Sequence, residues 1–446
     1  MEIYDILIEL LHNKNWKSLK ELLDEMNEQD IAEIFMQLEE RELTLAYRLL
    51  NKELAAEVFV NMEPEYQEQL IRAFSDTELR EVLDELYVDD AVDLIEEMPS
   101  SLVKRILKHT DPDTRKSINE ILKYPEDSAG SIMTIEYVDL KRSMTVADAF
   151  MRIRRTGVDK ETIYTCYVTD SKRKLKGVVT VKELLLSDEN ATIREIMEDN
   201  VISVNTFEDK EVVADLFDKY DLLALPVVDK ENRLVGIITV DDAIDVMQEE
   251  ITEDMELMAA ITPTDKPYLK MGVFENFKKR IPWLMLLMVS ATFTEKIITH
   301  FEGALTSCVV LTAFIPMLTG TCGNCGNQSS STIIRGISLG EIEFKDTFKV
   351  ILKEFSIALA CGIALACVNF AKLMIFNKIE WEIALVVSVT MIAAVVFAKV
   401  VGSILPVVAK KIGFDPAVMS SPFISTIVDA VTLLIYFSIA SSMLDL

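Results

Sequence analysis

The chain repeats one short pattern, as VTDSKRKLKGVVTVKELL at residues 168–185 and as VDKENRLVGIITVDDAI at residues 228–244. The two copies align without gaps at a constant offset of 59 residues, which places Thr180 opposite Thr239. Each copy consists of an apolar run, a polar stretch, a second apolar run and a helix-like segment. Short apolar runs bounded by turn residues are typical of buried strands. The repeat therefore predicts two copies of a small α/β unit.

Towards the N-terminus, residues 1–130 are highly charged and carry apolar residues at helical spacing. Similar segments begin at Asp30 (DIAEIFMQLEE), at Glu53 (ELAAEVFVNMEP) and at Asp89 (DDAVDLIEEMPS), at uneven intervals. Short helices that recur in this way indicate a small right-angled or superhelical stack. We expect an all-α superhelical domain over residues 1–130, followed by the α/β pair over residues 131–240.

After the repeat, the chain becomes strongly acidic. Residues 241–256 contain eight acidic residues and no basic one, yet they keep one apolar face at helical spacing. Like charges four residues apart destabilise a helix by roughly 0.2–0.5 kcal/mol per pair unless something neutralises them. We interpret residues 241–275 as an acidic connecting helix that responds to cations.

The rest of the chain is apolar, and residues 276–446 are predicted to form an α-helical domain with five membrane spans. Each span is long enough to cross the roughly 30 Å of a hydrocarbon core. The predicted spans are residues 281–300, 304–334, 354–376, 382–407 and 418–443.

Charge divides the chain in the same way. The net charge of the chain is −28, of which −27 falls in residues 1–280 and −1 in residues 281–446. Such acidity excludes nucleic acid as a partner, because phosphates would be repelled. It fits a protein that collects cations.

The basic residues predict how the spans are oriented. Lysine and arginine concentrate at the cytoplasmic ends of membrane helices, and here they cluster at 278–280, 335–353 and 410–411, all on the side of the acidic domains. The N-terminus lacks the basic and apolar regions of a signal peptide. We expect a multi-pass membrane protein with cytoplasmic N-terminal domains and an external C-terminus.

One carboxylate lies deep in the last span. Asp429 sits within SSPFISTIVDAVTLLIYF (residues 420–437), far from any other charge in that segment. An ionised side chain at that depth costs about 3 kcal/mol or more, so it must face water, a cation or a partner. The alternative is a carboxylate that is hydrogen-bonded between helices. The spans contain few other charges, which argues against a transporter coupled to protons or sodium.

The second span is unusually polar in its second half, PMLTGTCGNCGNQSSSTIIRG (residues 316–336). Its small residues allow close helix approach, while its amides, Asn324, Asn327 and Gln328, require hydrogen-bonding partners. A water-filled path satisfies both needs.

These features together resemble two known families. The repeat resembles a tandem pair of CBS domains over roughly residues 132–250. With the acidic helical domain, GTCGNCGNQSSSTIIRG and SPFISTIVDAVTLLIYF, the whole chain resembles the MgtE family of magnesium transporters. The resemblance implies a homodimer in the membrane, with a pore on the dimer axis between the second and fifth spans.

The resemblance also assigns site residues. It makes Asp429 the ion-selecting carboxylate and places Asn327, Ser421 and Ser425 in the pore lining, although the family typically has asparagine where this chain has Ser421. The implied regulatory magnesium sites are acidic side chains, which by their motifs are Asp89, Asp93, Asp221, Asp242, Asp245, Glu250, Glu253 and Asp254.

CBS pairs often bind adenine nucleotides such as ATP, with a threonine and an aspartate three residues later holding the ribose. Thr239 and Asp242 have that spacing, whereas Thr180 is followed by Glu183. We therefore expect the nucleotide, if one binds, at Thr239 and Asp242.

The charge pattern suggests a mechanism in which magnesium is both transported and sensed. High cytoplasmic magnesium would bridge the acidic domains and close the pore, and low magnesium would let them repel one another. The chain shows no hydrolase motif or phosphate-binding loop, so we expect no enzymatic activity. The alternatives are a CBS-regulated secondary transporter of another divalent cation or small solute, and a membrane receptor that transports nothing.

Overall fold

The computed structural model describes residues 3–264, 266, 268–419 and 421–444, except for the side chain of Ser421. The chain folds as two compact units, Met1–Met247 and Gln248–Leu446. We call them the N-terminal unit and the C-terminal unit.

The N-terminal unit begins with a stack of short helices. They are α1 (Ile3–His12), α2 (Trp16–Leu23), α3 (Glu28–Phe35), α4 (Glu40–Tyr47), α5 (Lys52–Val60), α6 (Pro64–Ala73), α7 (Asp76–Leu83), α8 (Val88–Glu97), α9 (Ser100–His109) and α10 (Pro112–Ile121). From α2 to α10, each helix begins 12 residues after the one before it. The all-α expectation is confirmed, but the expected uneven spacing is wrong. The repeat is regular, and only some of its copies are similar enough to be seen in the sequence.

Capping residues set the starts of these helices. The side chains of Asn15, Asn27 and Asn51 each accept a hydrogen bond from a backbone N–H in the first turn of the helix that follows. Such caps satisfy donors that a helix start leaves unpaired. Helices this short are not stable alone in water, so packing of their buried faces, as at Phe35 and Leu43, stabilises the stack.

Two α/β modules with the same topology complete the N-terminal unit. The first contains β1 (Asp139–Lys141), α11 (Val146–Thr156), β2 (Thr165–Thr169), β3 (Leu175–Thr180), α12 (Val181–Leu186) and α13 (Ile193–Ile196). The second contains β4 (Val204–Asn205), α14 (Lys210–Tyr220), β5 (Ala224–Val228), β6 (Leu234–Thr239) and the first turns of α15 (Val240–Met258).

The sheets confirm the sequence repeat at the level of register. In each module the short first strand runs parallel to the second, which pairs antiparallel with the third. Thr165 pairs with Thr180, and Ala224 pairs with Thr239, so the offset of 59 residues is kept across the strand pairs.

A glycine in the third strand of each module allows another segment of backbone to pack directly against that strand. A Cβ on Gly177 would lie 2.8 Å from the carbonyl oxygen of Glu198, and one on Gly236 would lie 2.7 Å from that of Thr134. These distances exclude a side chain at either position.

The C-terminal unit contains the long apolar helices. They are α16 (Val273–His300), α17 (Glu302–Ser307), α18 (Ile315–Ser338), α19 (Thr347–Lys372), α20 (Trp381–Lys411) and α21 (Ser421–Leu444), with 3₁₀ turns at Val309–Phe314, Phe344–Asp346 and Pro416–Met419 and a π-helical turn at Leu373–Asn377. In the described part of the chain, five stretches are long and apolar enough to cross a membrane. This number confirms the predicted five spans.

The start of the second span differs from the expectation. A continuous span from residue 304 was predicted, but α17 ends at Ser307 and a 3₁₀ turn precedes α18. The backbone leaves helical geometry at Cys308 (φ −136°, ψ 81°), and Pro316 occupies the first turn of α18. Proline is favoured at a helix start because its missing N–H is not needed there. The polar half of the span therefore lies in one unbroken helix, α18.

Helix α20 is central to the C-terminal unit and packs against α18, α19 and α21. The backbones of α18 and α20 approach so closely that a Cβ on Gly402 would overlap the carbonyl oxygen of Gly326. Small residues allow such contacts between membrane helices.

Candidate functional site

Asp429 lies on α21 where that helix faces the polar half of α18. A Cβ built on Gly323 of α18 would lie 4.0 Å from Oδ1 of Asp429 and 3.6 Å from Oγ of Ser425. The Asp429 side chain is half-buried, and no basic side chain in the described part of the chain pairs with it. The carboxylate is therefore positioned between two helices without a counter-charge of its own.

Asn327 and Ser425 form the polar contact next to this carboxylate. Asn327 Nδ2 lies 3.3 Å from Ser425 Oγ, so that α18 donates a hydrogen bond to α21. The other atom of the amide, Oδ1, is buried and accepts no hydrogen bond from the described residues. An acceptor in this position needs a water molecule, a hydrated cation or a donor from another chain. The third predicted pore residue, Ser421, has a side chain outside the described residues.

A second acidic site lies within the N-terminal unit, between α8 and the start of α15. Burial and the neighbouring charge of Asp90 raise the pKa of Asp89 well above its ordinary value. Burial, with Asp242 and Asp241, raises the pKa of Asp90 to about 7. Burial, with Asp90, Asp241 and Asp242, raises the pKa of Glu161 to about 8. We call these five carboxylates, together with Asp93, the α8–α15 cluster.

The cluster gathers three of the predicted metal ligands. Desolvation and Asp242 raise the pKa of Asp93 to about 7, although its side chain lies at the exposed edge. Burial raises the pKa of Asp242 to about 6, against the opposing effect of a hydrogen bond from Thr239. Oxygen Oε2 of Glu161 is buried and accepts no hydrogen bond from the described residues. Carboxylates held together in this way favour a divalent cation, which would relieve their repulsion.

Glu161 and Asp90 were not predicted from the sequence. Asp90 adjoins Asp89 in the chain, so the acidic pair was visible there, but nothing in the sequence near Glu161 marks it as a cluster member. In the described residues, no three His, Cys, Asp or Glu side chains are already arranged to hold a metal ion directly. Magnesium usually keeps several of its waters, so a looser arrangement of carboxylates is consistent with it.

A third acidic site lies in the C-terminal unit. Burial, with Asp415 and Glu253, raises the pKa of Asp254 to about 6, while Arg335 opposes this shift. This brings the predicted Glu253 and Asp254 of α15 next to Asp415, which precedes the 3₁₀ turn before α21. Asp415 was missed because a single aspartate in a loop carries no signal.

The remaining predicted residues lie elsewhere. Asp221 is exposed and ends α14 in a left-handed conformation (φ 51°). Asp245 is exposed on α15 and contributes to the raised pKa of Asp242. Glu250 is half-buried on the same helix, in the C-terminal unit.

The threonine and aspartate proposed for nucleotide binding contact each other. Thr239 Oγ1 donates a hydrogen bond of 2.6 Å to Asp242 Oδ2, and Asp242 belongs to the α8–α15 cluster. A basic cavity of about 330 Å³ lies elsewhere in the first module, with Arg152, Lys160 and Arg173 in its lining.

Sequence reasoning missed two charged side chains within the membrane helices. Glu354 on α19 is only 8% exposed and Lys399 on α20 only 5%. The described spans therefore hold two buried charges besides Asp429, neither of which was singled out from the sequence. Averaged hydropathy conceals a single lysine in a long apolar helix, and the sequence does not reveal its partner.

The fold and the sites define a class: a multi-pass membrane protein that carries a CBS pair and an acidic helical domain. Comparison with known proteins agrees with this class. A family model described as a divalent cation transporter matches residues 315–439, the MgtE intracellular N domain matches residues 26–127, and CBS domains match residues 129–189 and 193–249.

Curated relatives match over nearly the whole length. The magnesium transporter MgtE of Thermus thermophilus is 36% identical over 446 residues, covering 98% of both chains. The magnesium transporter MgtE of Bacillus subtilis is 32% identical over 440 residues, covering 98% of this chain and 96% of that one. The chain therefore belongs to the MgtE family of divalent cation transporters.

Solved structures support the fold of the N-terminal part. The cytosolic domain of the Mg²⁺ channel MgtE in complex with ATP is 38% identical, with a TM-score of 0.52, and covers 55% of this chain and 100% of that one. The soluble part of a magnesium transporter is 31% identical, with a TM-score of 0.53, and covers 55% of this chain and 97% of that one.

Proposed function

We propose that this chain mediates the uptake of Mg²⁺ along a path lined by α18 and α21. The observation that carries the proposal is Asp429, a half-buried carboxylate in a membrane helix that faces α18 and has no counter-charge among the described residues. The relatives named as magnesium transporters support magnesium as the ion. Because magnesium sheds its waters slowly, we infer that the ion passes largely hydrated.

A homodimer would complete this path. Polar side chains spaced three or four residues apart are exposed on one face of α18, namely Asn324, Gln328, Thr332 and Arg335. Exposure of such a face to lipid is costly, whereas a second copy of the same face can satisfy it. A two-fold axis beside α18 and α21 would also bring two Asp429 carboxylates towards one ion.

We further propose that Mg²⁺ closes the path by binding to the acidic clusters. The raised pKa values of the α8–α15 cluster reflect burial together with repulsion between its carboxylates, and a bound divalent cation would relieve that repulsion. The acidic residues of α15 continue this charge into the C-terminal unit, where Asp254 lies near Asp415. Binding at these sites would draw the acidic segments together, and loss of the ion would release them.

The remaining expectations follow from the family and from charge. The domain division into residues 1–130, 131–240, 241–275 and 276–446 stays a proposal. So do the cytoplasmic position of the N-terminal domains, the external C-terminus and the absence of enzymatic activity. We also propose that the CBS pair binds an adenine nucleotide, because a 38% identical cytosolic domain was solved with ATP.

Flux measurements test the proposed function directly. The full-length protein is purified and reconstituted into liposomes that contain a Mg²⁺-sensitive dye, and Mg²⁺ is added outside. We expect uptake well above that of protein-free liposomes. Uptake equal to that of protein-free liposomes, at every external Mg²⁺ concentration, would favour a receptor that transports nothing.

A further inference from the structure

Three polar side chains from three membrane helices meet behind the proposed ion path. Ser329 on α18 donates a hydrogen bond of 2.6 Å to Oε2 of Glu354 on α19, and it accepts one of 3.2 Å from Nζ of Lys399 on α20. The Lys399 ammonium lies 3.9 Å from the same carboxylate oxygen. Ser329 is 1% exposed, and the two charged side chains are almost as deeply buried. We call this the 329–354–399 network.

Among the described residues of the membrane helices, Glu354 and Lys399 are the buried charged side chains. Removing two charges from water is costly, and a buried ion pair is often no more stable than apolar side chains of similar volume. Buried polar groups of this kind are better explained by a specific arrangement that they enforce than by the stability they add. The network is therefore expected to fix one particular arrangement of the helices that it joins.

The arrangement that the network can fix is the rotation of α18 about its own axis. Asn327 and Ser329 are two residues apart, which places them on nearly opposite faces of a helix. Asn327 reaches α21 and Ser425, whereas Ser329 reaches α19 and α20. A rotation of α18 about its axis would therefore break both contacts together. Close contact between Gly326 and Gly402 holds the helix backbones together but does not by itself set the rotation.

We propose that Ser329, Glu354 and Lys399 are positioning residues that fix the rotation of α18 and so hold Asn327 in the ion path. The inference rests on the proposed function, because it requires that Asn327 lines the path. The network itself does not bind the transported ion, since the Lys399 ammonium would repel a cation. By fixing the rotation of α18, its charges influence the Mg²⁺ concentration at which the path reaches half-maximal flux.

The test compares variants that separate positioning from stability. Lys399→Met leaves Glu354 buried without its cation, while Glu354→Leu combined with Lys399→Met removes both charges and keeps the site packed. Ser329→Ala removes only the bridging hydroxyl. Lys353→Met is the matched control, because Lys353 precedes Glu354 on α19 but is exposed. Each variant is checked for an intact elution profile and thermal stability before Mg²⁺ flux is measured in liposomes.

We expect Lys399→Met and Ser329→Ala to raise the Mg²⁺ concentration at half-maximal flux several-fold. The double variant should recover thermal stability but keep the raised half-maximal concentration, and Lys353→Met should match the wild type.

A double variant with both wild-type stability and wild-type concentration dependence would overturn the proposal, because the network would then be merely structural. So would flux that follows a pH gradient and loses that dependence in Glu354→Gln, since this would make Glu354 part of a proton path. If the wild type itself carries no Mg²⁺, the proposed function fails instead.

Discussion

The α8–α15 cluster of the N-terminal unit and Asp429 of the C-terminal unit place carboxylates in two opposite environments. In the α8–α15 cluster, several carboxylates are crowded within the N-terminal unit, and burial and mutual repulsion raise their pKa values. In the C-terminal unit, Asp429 lies on α21 beside the polar contact between Asn327 and Ser425, without a second carboxylate or a basic partner among the described residues. A crowded cluster changes state when a cation binds, which suits a sensor. A solitary carboxylate beside a polar helix face attracts an ion without holding it tightly, which suits a path.

Removal of the solitary carboxylate should have the largest effect. We expect Asp429→Ala to reduce Mg²⁺ flux by about two orders of magnitude if the carboxylates contribute about 3 kcal/mol to attracting the ion, since each 1.4 kcal/mol is a factor of ten. The protein should remain folded, because the substitution removes a charge that is costly in a membrane. Flux into liposomes and size-exclusion elution check both parts.

Glu382→Gln is the matched control for this prediction, because Glu382 is an exposed carboxylate in the first turn of α20. It should transport like the wild type. Wild-type flux from a well-folded Asp429→Ala protein would place the ion path elsewhere.

Neutralising acidic residues of α15 should have a smaller effect than Asp429→Ala, and it should alter closure of the path rather than conduction through it. Replacing Asp245, Glu250 and Glu253 with the corresponding amides removes charge that a bound cation would otherwise neutralise. We expect the variant to conduct normally but to need several-fold more Mg²⁺ to close. Flux measured at increasing Mg²⁺ on the side of the N-terminal unit checks this. Closure at the wild-type concentration would make these residues ordinary solvated acids.

Within the cluster, a single neutral substitution should stabilise the metal-free protein. Asp90→Asn removes a half-buried carboxylate near Asp241 and Asp242. We expect a higher melting temperature in chelator and a smaller further increase when Mg²⁺ is added. Asp84→Asn, at the exposed end of α7, should change neither value. An Asp90→Asn protein that melts like the wild type in chelator would show that the cluster is not under electrostatic strain.

The smallest expected effect is the pH dependence of the same cluster. Its pKa values are raised in the folded state to about 6 for Asp242, about 7 for Asp90 and about 8 for Glu161. A folded state that holds protons more tightly is favoured at low pH, so the stability of the metal-free protein should fall as pH rises from about 4 to about 8. Mg²⁺ should bind more tightly over the same range, because it replaces those protons.

Melting curves at pH 5 and pH 8, with chelator and with Mg²⁺, test the direction of this pH dependence. We expect Mg²⁺ to raise the melting temperature more at pH 8 than at pH 5. An equal effect at both values would mean that the cluster carboxylates are already ionised at pH 5.

Much of the fold followed from local patterns. The 59-residue offset predicted the two α/β modules, because buried strands and turn residues are encoded within a few positions, and the strand pairing keeps the same offset. Apolar length gave the five spans. The 12-residue helix repeat was missed, because a short helix needs only a few apolar positions and a cap, so its copies diverge widely.

The residues of the candidate sites were harder to predict from the sequence than the fold. Asp429 stood out because it interrupts an apolar segment, whereas Asp89 and Asp93 were assigned through the resemblance of their acidic motif to the MgtE family. Glu161 and Asp415 come from loops, and only tertiary packing brings them to other carboxylates. Glu354 and Lys399 are far apart in the sequence and meet through Ser329. Contacts of that kind leave no periodic pattern to be read.

We propose that one ion, Mg²⁺, both passes through the C-terminal unit and controls that passage by binding to the acidic sites. The most direct measurement is Mg²⁺ uptake by liposomes containing the full-length protein while Mg²⁺ on the side of the N-terminal unit is increased stepwise through the millimolar range. We expect flux that is high when that side is free of Mg²⁺ and that falls steeply as the acidic sites bind the ion. Flux that does not respond to Mg²⁺ on that side, after allowing for the smaller gradient, would contradict it.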